Sequence, residues 1–119
     1  MTDPSLPLSL SLFVAADHPA YAGHFPGHPI LPGVVLLDAA LHALAARQGL
    51  EVASGEIRSA KFLSPVGPGE ALRLDYAATA AGVFRFAVVA TAVATAVANE
   101  ERVVASGVFA FTLPQEGAS

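Results

Sequence analysis

The stretch HFPGHPILPGVVLLDAALHALAARQG, residues 24–49, decides how this chain is read. Its second half has the composition of a helix. Apolar residues fill nearly every position from Val34 to Ala46, Pro32 suits a first turn where a missing N–H costs nothing, and Arg47 and Gly49 suit the last turn and the stop after it. The spacing predicts a helix from about Pro32 to Arg47. A helix apolar on every side is expected to be buried all round. Two polar side chains interrupt it before Arg47, Asp38 and His42, four residues apart and therefore on one face. A carboxylate on a buried helix is costly unless it is paired or has work to do. On the residues alone, the plainer explanation is that Asp38 and His42 satisfy each other or bond to backbone.

The first half is a loop. Ala22 to Gly33 holds three prolines, three glycines and two histidines. His24 and His28 have the spacing of a helical metal pair, but Pro26, Gly27 and Pro29 forbid a helix there, so no metal site is expected. No Lys-Ser/Thr pair follows the glycines, which excludes a phosphate loop. A stiff loop that ends on a helix N-terminus fixes a side chain in space and aims backbone N–H groups at a ligand. His18, Tyr21 and His28 read as loop structure or pocket wall.

Outward from this core the chain reads as strands. Leu8 to Val14 alternates leucine with serine, and Ile57–Leu63, Ala71–Thr79, Phe84 to about Val97, and Arg102–Thr112 follow. Ser64–Gly69 and Asn99–Glu101 read as turns. The repetition ATAVATAVA, residues 90–98, specifies its register weakly because its small side chains repeat. One helix among antiparallel strands gives an α+β class, the helix packed on a curved sheet.

Composition narrows the function. The 119 residues suit one domain, and 54% of them are hydrophobic, an excess expected to be hidden in an oligomer. A net charge of −4 argues against a nucleic-acid partner. The absence of cysteine removes disulfides, thiolate nucleophiles and cysteine-based zinc sites. Leu6–Ala16 follows an acidic residue and holds no Lys or Arg, unlike a signal peptide, and the longest apolar run, Phe86–Ala98, is shorter than the roughly 20 residues of a membrane helix. The expectation is a soluble, cytoplasmic protein with no membrane partner.

HFPGHPILPGVVLLDAAL, residues 24–41, closely resembles the signature of the 3-hydroxyacyl-acyl-carrier-protein dehydratases of fatty-acid synthesis. In that family a His-Phe-Pro-Gly loop leads through Pro-Gly into the central helix, and an acid follows the His by fourteen positions, as Asp38 follows His24. A fainter likeness continues through AKFLSPVGPGEAL, residues 60–72, and the whole spans about Leu8 to Thr112. The resemblance implies a single hot-dog domain over residues 1–119, an antiparallel sheet wrapped around one long helix, with a flexible tail at 114–119. It implies that His24 removes the C2 proton of a 3-hydroxyacyl thioester, that Asp38 protonates the departing hydroxyl, and that the backbone N–H of Gly33 holds the thioester carbonyl. Phe25 and His42 would touch substrate. No cofactor or metal is implied. The partners implied are an acyl carrier protein bearing the acyl group on phosphopantetheine, and a second copy of the chain. The sites would be shared within a homodimer, alone or in a higher assembly.

Three departures stand out. His42 occupies the position where the family usually has Gln, so it either orients Asp38 or holds it charged. Leu63 and Ser64 stand where basic residues are common, leaving Arg58 and Lys61 nearby to meet an acidic carrier. The chain is also short and rich in alanine, as a relative serving a polyene or other secondary pathway would be. Two other readings of the same fold are a thioesterase and a non-catalytic acyl-binding subunit.

Overall fold

The computed structural model describes residues 5–13, 31–67, 70–94 and 98–113, with only the backbone path given for 92–94 and 98–100. Strand β1 (Leu8–Leu12) comes before helix α1 (Gly33–Gln48). A single 3-10 turn (Val52–Ser54) leads into β2 (Gly55–Phe62), followed by β3 (Ala71–Ala80), β4 (Val83–Ala94) and β5 (Ala98–Phe111). All pairings are antiparallel, in the order β1-β3-β4-β5-β2.

Alternation along each strand builds the core. Leu10 and Leu12, Leu72, Leu74 and Tyr76, Phe84, Phe86 and Val88, and Phe109 and Phe111 point to one face of the sheet. They close over Leu36, Leu37, Ala40, Leu44 and Ala45 of α1. Phe86 stacks on Phe109 with centroids 4.0 Å apart, and Phe84 meets Tyr76 and Phe111 edge-on. Burying each of these large side chains stabilises the fold by about 1.5–3 kcal/mol. The Gln48 amide donates to the Tyr76 hydroxyl at 3.2 Å, tying the end of α1 to β3. Gly49 then stops the helix in the left-handed conformation, φ 68°, which a residue with a Cβ adopts only at a cost. This is the α+β arrangement expected, one helix inside an antiparallel sheet.

Two expectations are corrected. Asn99 to Glu101 form no turn. They continue β5 and pair with Val93, Ala92 and Thr91, so β4 and β5 are longer and the reversal lies before Ala98. The repetitive small residues there left the turn unmarked, and the polar Asn-Glu-Glu run imitated one. Nor is α1 buried all round. Val34, Asp38, His42, Ala46 and Arg47 are exposed, because one five-stranded sheet covers only one side of a helix. Strand β2 is equally open. It lies at the sheet edge, and Glu56 through Phe62 are exposed on both faces.

On the other face of the sheet, Asp75 is 1% exposed and accepts two hydrogen bonds from Arg73, at 2.8 and 3.1 Å. This pairing spares Asp75 the cost of an unpaired buried charge, and Arg73 also reaches Glu101 at 2.8 Å.

Candidate active site

Helix α1 begins with no side-chain cap. Pro32 stands at the cap position with φ −58° and ψ 140°, and its carbonyl accepts the N–H groups of Val35 and Leu36 at 3.0 and 3.2 Å. Among the described residues the N–H groups of Gly33 and Val34 donate to nothing. Such first-turn amides, at the positive end of the helix dipole, form a ready site for an oxygen carrying negative charge.

The approach to Gly33 is close. A Cβ built on it would lie 2.4 Å from Cε1 of Phe62, so the aromatic ring occupies the space any other residue here would fill. Phe62 arrives from β2, and together with Leu31, Val34, Leu63, Pro65 and Val66 it walls a recess of about 450 Å³ beside the helix start. Phe62, Leu63 and Val34 are more than half exposed. A second recess, about 370 Å³, lies across the sheet beside Asp75, Arg85 and Val103 and includes neither Gly33 nor Asp38.

Val34, Asp38, His42 and Ala46 recur every fourth residue and form one exposed stripe of α1. The Asp38 carboxylate lies 3.3 Å from Nε2 of His42, and their side chains are 70% and 56% exposed. The pair is therefore formed, and the carboxylate is not buried in the single chain. Val34, one turn before Asp38, is part of the recess wall, whereas Asp38 is not.

The turn between β2 and β3 closes the recess from the other side. Glu70 accepts the Gly67 N–H at 2.8 Å and two hydrogen bonds from Arg102 of β5. The Arg102 fork holds the Glu70 carboxyl below its ordinary value, against a smaller opposing effect of burial, and the same pairing raises Arg102.

Of the residues singled out in the sequence, Gly33, Asp38 and His42 all lie on α1, Gly33 at its start, Asp38 in its first half and His42 just past its middle. His24 and Phe25, with His18, Tyr21 and His28, lie outside the described residues. Arg58, a candidate for meeting an acidic carrier, is engaged by Glu56 at 2.9 Å. Sequence reasoning did not connect Phe62 with Gly33, nor Arg102 with Glu70. The Phe and the Pro-Gly-acid turn were visible as fragments of a family pattern, but nothing local says what they touch. Among the described residues no three His, Asp or Glu side chains converge as metal ligands, and no helix is long and apolar enough to cross a membrane.

Comparison with known proteins agrees with this fold. The model of the ApeI-like family, described as ApeI dehydratase, matches residues 3–102. The 3-hydroxyacyl-(acyl-carrier-protein) dehydratase FabZ of Thermus thermophilus is 39% identical over 115 residues, covering 89% of this chain and 75% of its own. The FabZ of Gluconobacter oxydans is 38% identical over 97 residues, 72% of this chain and 57% of its own, and that of Haemophilus influenzae is 40% identical over 70 residues, 52% and 47%. The chain thus spans about half the length of several curated relatives it matches. Among solved structures, an uncharacterized protein from Erwinia carotovora subsp. atroseptica superposes with a TM-score of 0.64 at 29% identity, over 87% of this chain and 81% of that one. The dehydratase heterocomplex ApeI:P from Xenorhabdus doucetiae, at 22% identity, shares the fold with a TM-score of 0.58 over 86% and 83%. A family model matched along most of the chain, and a relative 39% identical over most of both sequences, place one helix in one sheet within a known group: this chain belongs to the ApeI-like dehydratase family.

Proposed function

We propose that the chain dehydrates a 3-hydroxyacyl thioester, carried by an acyl carrier protein in the cytoplasm, to the trans-2-enoyl thioester, in fatty-acid or related lipid synthesis. The observation that carries this reading is the shared location of three features at one end of α1. Two amides unengaged among the described residues begin the helix, an apolar recess lies beside them, and the Asp38 carboxylate stands one turn beyond Val34 of the recess wall.

The chemistry needs such a set. A proton next to a thioester is weakly acidic, and a donor at the carbonyl oxygen, the role assigned to the Gly33 N–H, stabilises the enolate as it forms. His24, from the family motif, accepts the C2 proton as a neutral imidazole. The C3–O bond then breaks, its electrons leaving with the oxygen. The former C2–H pair becomes the C2=C3 bond, and Asp38 delivers the proton that makes the leaving group water. His42 orients Asp38, and Phe25 and the recess wall receive the acyl chain.

Two copies complete the site in this reading. The open stripe bearing Asp38, the exposed Phe62 and Leu63, and the edge of β2 that is unpaired among the described residues form a surface that suits a second copy of the chain. His24 of one copy would then face Asp38 of the other.

The test is to incubate purified protein with a 3-hydroxyacyl carrier-protein thioester, without added metal, and follow the conjugated enoyl product. Its formation is expected and should persist in chelator. Activity lost to chelator and restored by zinc would overturn the mechanism. Release of free thiol would make the protein a thioesterase, and acyl binding without turnover would make it a binding subunit.

A further inference from the structure

Arg102 begins the part of β5 that passes the turn between β2 and β3, and all three of its side-chain nitrogens are committed to that turn. Nη1 donates to Glu70 Oε1 at 2.6 Å, Nη2 to Glu70 Oε2 at 2.9 Å and to the Pro65 carbonyl at 2.7 Å, and Nε to Ser64 Oγ at 2.9 Å. The turn is also pinned to β5 by its backbone, the N–H groups of Leu63 and Ser64 reaching the Val104 carbonyl at 2.9 and 3.4 Å. From this turn one bond leads to the helix: the carbonyl of Val66, itself 2% exposed, accepts the N–H of Leu31 at 2.8 Å. Leu31 is two residues ahead of Gly33, at an entrance where no side chain caps the helix.

We infer that Arg102 is a positioning residue: by fixing the turn whose Val66 carbonyl holds Leu31, it sets where the Gly33 N–H points and how wide the recess beside it stands. An exposed ion pair contributes little to stability by itself. A planar fork shared among a carboxylate, a carbonyl and a hydroxyl supplies fixed orientation, and lysine cannot reproduce it. The effect on turnover rests on the proposed role of Gly33 as donor to the thioester carbonyl, whereas the effect on the Leu31 amide does not.

The experiment compares wild type with Arg102→Met, Arg102→Lys and the double variant Glu70→Gln/Arg102→Met, which leaves neither charge without its partner. Exchange of the Leu31 amide with deuterium is read against that of Leu44 in mid-helix, alongside kcat, KM and the melting temperature. In Arg102→Met and in the double variant, Leu31 should exchange about tenfold faster or more while Leu44 is unchanged. Both kcat and kcat/KM should fall about tenfold with KM within about twofold, as expected when an interaction of the transition state is lost. Arg102→Lys should lie between. Unchanged Leu31 exchange in a folded variant would overturn the inference, as would equal acceleration at Leu31 and Leu44, or faster Leu31 exchange with kcat intact. A wild-type protein that turns over no 3-hydroxyacyl thioester would sink the dehydratase reading, while the exchange measurement still decides the clamp.

Discussion

The carboxylate of Asp38 and Nε2 of His42 face each other across 3.3 Å, one turn apart on a stripe of α1 that the sheet leaves open. Gln at position 42 presents a side-chain amide that can donate to Asp38 from the same place on the helix, whereas Ala presents nothing. We predict that His42→Gln keeps kcat within about threefold of wild type and His42→Ala lowers it further, while His24→Ala costs on the order of a hundred- to ten-thousand-fold. Steady-state kinetics on the three variants checks this. A loss in His42→Gln as deep as that in His24→Ala would make His42 itself a catalytic group.

The openness of Asp38 in the single chain leads to a second prediction, that each site is built from two copies. His24→Ala and Asp38→Ala should each be nearly inactive alone. Unfolded and refolded together, about half the dimers form from one chain of each kind, and each mixed dimer has one intact site. Activity should therefore recover to about a quarter of wild type. Recovery of none would mean that His24 and Asp38 act within one chain.

Acid should weaken the Arg102 clamp. The Glu70 carboxyl sits below its ordinary value of 4.5 because Arg102 hydrogen-bonds it, so its contribution to stability is complete above about that pH. The contribution fades as pH falls through the lowered folded value. Glu101, held down to about 2 chiefly by its hydrogen bond from Arg73, acts in the same sense. Thermal melting of wild type and Glu70→Gln between pH 7 and 3 should show a gap that narrows toward the acid end. A gap independent of pH would separate Glu70 from the effect.

Leu44 is fully buried between α1 and the sheet. Leu44→Ala should lower the unfolding free energy by about 2–5 kcal/mol in denaturant titrations. A loss below about 1 kcal/mol would mean that the helix is less firmly sealed in the sheet than its packing indicates.

The sequence made the helix legible because Pro32, Arg47 and Gly49 are local signals, and the strands because leucine and serine, or leucine and charge, alternate. Asp38 and His42 were legible as a pair from spacing alone. The β4–β5 reversal was not, because residues 90–98 repeat side chains too small to favour one register. The exposure of α1 was misread because an apolar helix looks the same whether its cover comes from its own sheet or from elsewhere. Phe62 against Gly33, and Arg102 on the turn at Ser64–Glu70, are contacts between distant segments, and such contacts leave no local mark.

The sheet order has a consequence for how the molecule comes together. Strands β3, β4 and β5 follow one another along the chain and pair as neighbours, while β2 pairs with β5 so that Gly55 lies opposite Phe111, 56 residues away (111 − 55 = 56). Closing such a long loop is paid for before its contacts return anything, so local pairings should form first. On this hypothesis β4 amides gain protection from exchange before β2 amides during refolding, and simultaneous protection would refute it. Phe62 rides on β2, so the ring reaches Gly33 only once that strand is in place. On the same hypothesis the helix start acquires its shape after β3, β4 and β5 have paired, and a chain halted before β2 docks would lack the wall that Phe62 gives the recess.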